Sequence, residues 1–343
     1  MSDMTEIVRT TVPLFPLDAV DRRLLHALGV DGRASFRLIA SVIGVSEQTA
    51  ARRYRRLRDA GVVRVLMLPA PDPADRGQLV RLEVQPQAVR AVADALARRP
   101  DVSWLRLINA GAELLFGVRA RTPAERDSLL LDQLPRTGRV LRTTVYSVLH
   151  HFRTPGEADW AGFPDQLDAE QRSQLRVDVP DRPSMRPESA DQPMVDELAA
   201  DGRATYARLA DVGGMSESAA ARRVELLVGS GALYSDVDIA PEMLGYPAGA
   251  TLYLEVTPSR VPAVGALLAA HQPTAFVAAV GGSANMVAAI RCRDVAEIYE
   301  YVTATLGRVN GVEHVEVSTV SRTIKHARSV TDENRLTTSV GRG

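Results

Sequence analysis

DGRASFRLIA at residues 31–40 returns as DGRATYARLA at 201–210, and SEQTAARR at 46–53 returns as SESAAARR at 216–223. The offset is 170 in both, and Gly231 stands at the same distance from Gly61. Further on it becomes 172: Leu82-Glu83-Val84 matches Leu254-Glu255-Val256, and Gly111-Ala112-Glu113-Leu114-Leu115 matches Ser283-Ala284-Asn285-Met286-Val287. Self-similarity at a fixed spacing marks a duplicated structural unit, here of about 135–150 residues.

The first half of each unit has the period of short helices. Leu17, Val20, Leu24, Leu25 and Leu28 fall on one helical face. Ser35 is placed to cap a second helix ended by Gly44, and Ser46 a third stopped by Gly61. Three short helices with a Gly turn before the third predict a winged-type helix-turn-helix. The second half alternates strand and helix. Strands at 79–84, 102–108, 113–118 and 140–149, with helices opening at Pro86 and Thr122-Pro123, give βαββαβ, a ferredoxin-like sandwich with helices on one sheet face. The fold class is α+β, with this pair of domains occurring twice. The expected domains are helix-turn-helix 1 over 17–64, ferredoxin-like domain 1 over 78–150, a linker over 153–190, helix-turn-helix 2 over 191–235 and ferredoxin-like domain 2 over 249–325. The linker is Pro-rich and lacks an apolar period, apart from Trp160 and Phe163, which are expected to pin it to a domain surface. The tail after Lys325 is polar and reads as disordered. Each sheet needs a cover for its helix-free face, so the two sandwiches are expected to pack sheet to sheet, with Leu105, Leu107, Phe116 and Val277 in the contact.

Composition narrows the function. The chain has 343 residues, 45% hydrophobic and 24% charged, with a net charge of −1; that excludes a disordered chain, a collagen-like rod and a disulfide scaffold. Its single cysteine, Cys292, makes neither an internal disulfide nor a cysteine zinc site. No signal peptide is visible at the N-terminus. Residues 261–290 carry no Asp, Glu, Lys or Arg, but prolines, glycines and polar residues break them up, so no membrane span is expected and the protein reads as soluble and cytoplasmic.

Leu17-Asp18, Asp21, Leu24-Leu25, Leu28, Asp31-Gly32-Arg33 and Ser35 resemble the opening of the Lrp/AsnC (feast/famine) transcriptional regulators. Ser46, Arg53, Leu57 and Gly61 are similar to their recognition-helix signature, and Pro241-Glu242-Met243-Leu244-Gly245-Tyr246-Pro247 to the segment joining their two domains. The resemblance covers 17–150 and 191–325. It implies a DNA-binding regulator whose RAM/AsnC effector domain pairs through its sheet and binds an amino acid or related metabolite. One fused chain would then resemble a regulator dimer, with further pairing to a homo-oligomer, dimer or tetramer. Family members usually carry one unit per chain; this chain carries two.

Double-stranded DNA is the expected partner. Residues 33–64 hold eight Arg against Glu47 and Asp59, a local net charge of +6 inside a neutral protein. A recognition helix reads bases with its first turn and holds phosphates further along. The candidates in unit 1 are Arg33, Ser46, Glu47, Gln48, Thr49, Arg52, Arg53, Arg55 and Arg56, with Gln48 suited to adenine and Glu47 to cytosine. Unit 2 offers Ser216, Arg222 and Arg223, but residues 203–234 carry only +1, with Glu225 and Leu226 in place of Arg55 and Arg56. A solvated Arg-rich helix face is the alternative.

For the effector, the resemblance points to the loop between the second and third strands. Asn109, Gly111 and Glu113 stand there in unit 1, and Gly282, Ser283 and Asn285 in unit 2. A glycine turn frees backbone N–H groups for a carboxylate and an acidic residue pairs with an ammonium; plain hairpin turns are the other reading. Glu113 replaces the family's usual Asp, and Asn285 lacks the charge. No metal spacing occurs among the histidines and no cofactor or nucleophile motif is found, so no catalytic residue, metal or cofactor is expected. The competing reading is an enzyme like the siroheme decarboxylases, which join the same two domain types. His150, His151, Arg142 and Arg153 are the residues it would call on.

Overall fold

The computed structural model describes residues 15–70, 77–119, 122–153, 160, 162–176, 180, 183–326, 329–332 and 335–338. Asp18 opens α1 (Ala19–Val30) with a capping box, its side chain accepting from the Asp21 N–H at 2.8 Å while Asp21 accepts from the Asp18 N–H. Ser35 caps α2 (Phe36–Ile43), Gly44 ends it in left-handed backbone, and Ser46 caps α3 (Glu47–Asp59). Leu24, Leu25, Leu28, Ile39, Tyr54 and Leu57 close over one core.

After β1 (Val63–Pro69), the first sandwich runs β2 (Gln78–Val84), α4 (Val89–Ala97), β3 (Val102–Ile108) and β4 (Glu113–Val118). A helical segment follows, from α5 (Pro123–Asp127) through a π-helical stretch to α6 (Leu134–Arg136), and then β5 (Val140–Arg153). The connecting segment holds α7 (Ala169–Leu175). The second helix-turn-helix is α8 (Gln192–Ala200), α9 (Tyr206–Gly213) and α10 (Glu217–Gly229), followed by β6 (Leu233–Ile239). The second sandwich is β7 (Ala248–Val256), α11 (Val261–Ala270), β8 (Thr274–Gly281), β9 (Met286–Cys292), α12 (Val295–Glu300) and β10 (Val312–His326). Two short strands, β11 (Ser329–Asp332) and β12 (Arg335–Thr338), follow it.

The two sheets close into one antiparallel ring, β3-β4-β2-β5-β8-β9-β7-β10 and back to β3. The fourth strand of each unit makes the closure. β5 outruns its own sheet to pair with β8 of the other unit, and β10 likewise reaches β3 through Val320–Lys325. Closure leaves the ring without edges. The sheet-to-sheet packing expected from the apolar faces is therefore present, but with the faces exchanged. Leu105, Leu107 and Phe116 pack under the helices of the first sandwich and Val277 under those of the second. The space between the sheets holds Trp104, Tyr146, Tyr253, Phe276 and Val280 instead. In a strand buried on both sides, apolar count does not tell the faces apart.

β1 and β6 pair with each other as a ribbon between the two helix-turn-helix domains. Across that ribbon the contacts are reciprocal. Arg33 donates to the Gly202 carbonyl and lies over the Tyr206 ring; Arg203 donates to the Gly32 and Ala34 carbonyls and lies over Phe36. The linker contributes to a core. Trp160, Phe163, Leu167 and Leu175 are buried with helix-turn-helix 1, and His26 Nδ1 accepts from the Leu167 N–H at 3.0 Å. The tail, expected to be disordered, instead turns back: β11 and β12 pair, and Leu336 donates to the Gly61 carbonyl at 2.8 Å. A Cβ at Gly61 (φ 70°) would meet Arg335 Cβ at 2.9 Å, so this crossing requires glycine. No helix among the described residues is long and apolar enough to cross a membrane.

Candidate functional site

The face of α3 is built by its cap and by one buried acid. Ser46 Oγ accepts from the Thr49 N–H at 3.1 Å and lies 2.9 Å from Thr49 Oγ1; both hydroxyls serve the helix start. Glu47 and Gln48 stand exposed in the first turn, followed by exposed Arg52 and Arg55. Arg53 turns inward, and Arg56, though exposed, reaches the same buried acid. Arg53 donates to Asp18 at 2.7 Å and Asp21 at 2.9 Å, and Arg56 donates to the other Asp21 oxygen. The two carboxylates hold the Arg53 guanidinium pKa above its ordinary value, against the opposing effect of burial. Two of the unit 1 candidates for DNA contact, and Arg223 in unit 2, therefore need correction. Arg53 is a structural brace of the three-helix core, and Arg33 belongs to the contact between the two helix-turn-helix domains. Arg37, on α2, is exposed.

Unit 2 repeats the brace. Arg223 donates to Asp191 at 2.7 and 2.6 Å and to Glu188 at 3.1 Å, and this pairing holds the Asp191 carboxyl below its ordinary pKa. Ser216 caps α10. Arg222 is left exposed, beside exposed Glu225 and Leu226. The two recognition helices thus share a frame and differ in what they present.

The effector loops meet across the ring interior. Asn109, Ala110 and Gly111 all have positive φ (52°, 56° and 89°), a conformation that non-glycine residues seldom adopt. Glu113 takes a two-pronged ion pair from Arg81 and a bond from Asn109 Nδ2 at 3.0 Å. The Arg81 bond holds its carboxyl below the ordinary range, against burial. Arg81 also donates to Glu316 at 2.6 Å and lies over the Tyr253 ring, which packs against Tyr146, whose hydroxyl is 3.2 Å from Ser283 Oγ. Asn285 is tied to the Val256 backbone, accepting at 2.9 Å and donating at 2.6 Å; its place is that of a turn bracket. Gly282 is required beside Tyr146, where a Cβ would stand 2.9 Å from Cδ1. Sequence reasoning missed Arg81, Tyr146, Tyr253 and Glu316. A charge at Arg81, on the inward register of an apolar strand, was the available signal.

The residues named for tetrapyrrole chemistry do not converge. His150 packs edge-on to Phe152 and His151 to Phe276, Arg142 faces Glu83 at 3.6 Å, and Arg153 donates to the Ala269 carbonyl. No group of three or more potential metal ligands occurs among the described residues.

The family model for the AsnC-type helix-turn-helix domain matches residues 17–58 and again 190–228, and that for the Lrp/AsnC ligand binding domain matches 250–330. A helix-turn-helix-type transcriptional regulator of Pyrococcus furiosus is 29% identical over 145 residues, 41% of this chain and 97% of its own length. The regulator AldR of Mycolicibacterium smegmatis is 27% identical over 144 residues, 40% of this chain and 84% of its own length. Among solved structures, the siroheme decarboxylase NirDL covers 92% of this chain and 96% of its own at a TM-score of 0.58 and 17% identity, a likeness of fold.

Proposed function

We propose, from the premise that this chain belongs to the Lrp/AsnC family of transcriptional regulators, that it binds specific duplex DNA mainly through α3 and responds to a small molecule, an amino acid or related metabolite, held by its fused effector domains. The observation that carries this is the exposed face of α3. Glu47 and Gln48 stand free in the first turn for base edges, and Arg52 and Arg55 follow for phosphates. α10 supplies Arg222 but sets Glu225 and Leu226 beside it, so its share of the phosphate contact is smaller. For the effector, the Asn109–Gly111 turn offers backbone N–H groups. Glu113 is already paired with Arg81, so an ammonium group would have to share or displace that guanidinium. Chains pairing into a dimer or tetramer are part of this reading and are checked by light scattering.

The test is selection of the purified chain on a random duplex library, followed by binding titrations over a salt series. A selected site bound more tightly than random duplex, with affinity falling steeply as salt rises, supports the reading. Absence of binding at low salt overturns it.

The second reading is a tetrapyrrole enzyme. What favours it is the alignment with NirDL along nearly the whole chain, where each curated regulator named above matches about two-fifths. Incubation with iron-loaded tetrapyrrole separates the two: stoichiometric visible absorbance that stays with the protein favours the enzyme, and a colourless protein that binds DNA favours the regulator.

A further inference from the structure

One end of the ring interior is polar in a way the rest is not. Among the described residues, Arg291 on β9, which is 5% exposed, forms no ion pair and its Nε has no hydrogen-bond partner. It sits opposite Gly249 on β7, on the same inner face as Thr251, whose buried hydroxyl likewise lacks a partner. β10 lies next, with the buried, unpartnered Thr323 hydroxyl directly opposite Arg106 of β3. Arg106 lies over the inward-facing Trp104 ring, 5.0 Å from its centroid. His326 is within the field of both arginines: burial and their two charges push its imidazole down to about 3. Four adjacent strands therefore present a wall of donors around two guanidinium groups. Arg291 buries its charge with no opposite charge beside it among the described residues, which is strongly unfavourable.

The duplication supplies a control. By the offset of 172, the mates of Arg106, Thr251 and Thr323 are Ala278, Leu79 and His151, and the mate of Arg291 is Arg119, which is exposed. Ala278 and Leu79 belong to the apolar cluster that fills the other half of the interior. The frame does not require polar groups at two of these four positions, because its other copy has Ala278 and Leu79 there.

We propose that this wall is a binding site for an oxyanion, the carboxylate or phosphate group of a small metabolite, gripped by Arg291 and Arg106 with Thr251 and Thr323 as hydroxyl donors. The site deepens the effector reading, on which its regulatory meaning rests; anion binding itself does not depend on that reading. It is separate from the Glu113 turn, whose guanidinium already holds two carboxylates.

Thermal melting of the full chain tests it, in chloride buffer at constant ionic strength, with inorganic phosphate and malonate titrated separately. The expected result is a saturable rise in Tm with at least one of them, and the better anion identifies the group. R291Q weakens that anion by about tenfold or more, as loss of a charge-assisted pair implies. T251V is the variant that guards against misfolding. Removing an unpaired buried hydroxyl while keeping its shape leaves the anion-free Tm unchanged or higher, yet the anion-dependent rise shrinks. No rise in the wild type with either anion overturns the proposal, as do equal rises in the wild type and both variants. DNA titration of the same proteins keeps the two readings apart: an anion-binding chain that ignores DNA removes the regulator reading and leaves the site standing.

Discussion

Replacing Arg53 with Gln separates two kinds of arginine that look alike in the sequence. The Arg53 guanidinium bridges Asp18 and Asp21, and the Asp21 side chain is only 1% exposed. Without Arg53, that carboxylate is left to Arg56, which is itself 47% exposed. Removing one partner of a fully buried pair costs about 3–5 kcal/mol. Arg53 is 23% exposed and one guanidinium remains, so we expect about 2 kcal/mol. In a small domain melting on its own, each kcal/mol lowers Tm by about 4–8 °C. Arg52, one position earlier, is exposed and has no such task. R52Q should leave melting unchanged and reduce the salt dependence of DNA binding by about 0.9 in log–log slope. R53Q should lower Tm and leave the slope unchanged. The assay is paired: a thermal melt and a salt-series titration on one selected duplex for each variant. If R53Q melts like the wild type and loses slope, the brace is wrong and Arg53 is a phosphate contact.

The contact between the helix-turn-helix domains is lopsided in strength. R203M, which removes two carbonyl bonds and the stack on Phe36, should destabilise by about 3 kcal/mol; R33M, which removes one close bond and the stack on Tyr206, should cost about 1 kcal/mol less in a denaturant melt. A third test uses Asp238 on β6. Burial, and after it the charge of Asp236, hold its carboxyl well above the usual carboxylate range. An acid whose pKa is raised by folding lends stability when protonated and loses it as pH rises above its unfolded value of about 4. D238N should therefore raise Tm at slightly alkaline pH and change it little near pH 4, read from melts across that range.

The duplication and both domain types were legible because they rest on local signals: repeated strings, caps at Ser35 and Ser46, and a glycine at each turn. What the sequence hid was set by distant partners. β5 continues past Leu149 because β8 of the other unit is there to pair with it, and nothing local announces that. The β1–β6 ribbon depends on two segments about 170 residues apart becoming neighbours. The faces of β3 were exchanged because Leu105 and Leu107 match the aliphatic helix layer, while Trp104 and Arg106 suit an aromatic, partly polar interior. At the candidate site, Glu113 was visible as a carboxylate beside a glycine turn, but its partner Arg81 lies on another strand. Likewise Arg33 and Arg53 raised the same count of positive charge as Arg52, although only the fold determines which of the three is exposed.

The pattern of divergence argues for a purpose in the fusion. In a symmetric dimer of identical chains, every substitution appears twice, so a surface cannot change on one side alone. Joined in one chain, the two copies are free to part. Here the contacts that hold the halves together remain paired: Arg33 with the Gly202 carbonyl and Arg203 with Gly32, Arg53 on Asp21 and Arg223 on Asp191. The surfaces that would meet other molecules do not. Arg55 faces Glu225 across the duplication, Glu113 faces Asn285, and Arg106 faces Ala278. Selection on the frame acts on both copies, since damage to either loosens the ring or the ribbon. Release from symmetry then falls on the positions outside the frame, so α10 can lose exposed arginines while the interior acquires charge. A substitution at Arg203 should therefore disturb both halves of the molecule, and one at Arg52 only its own.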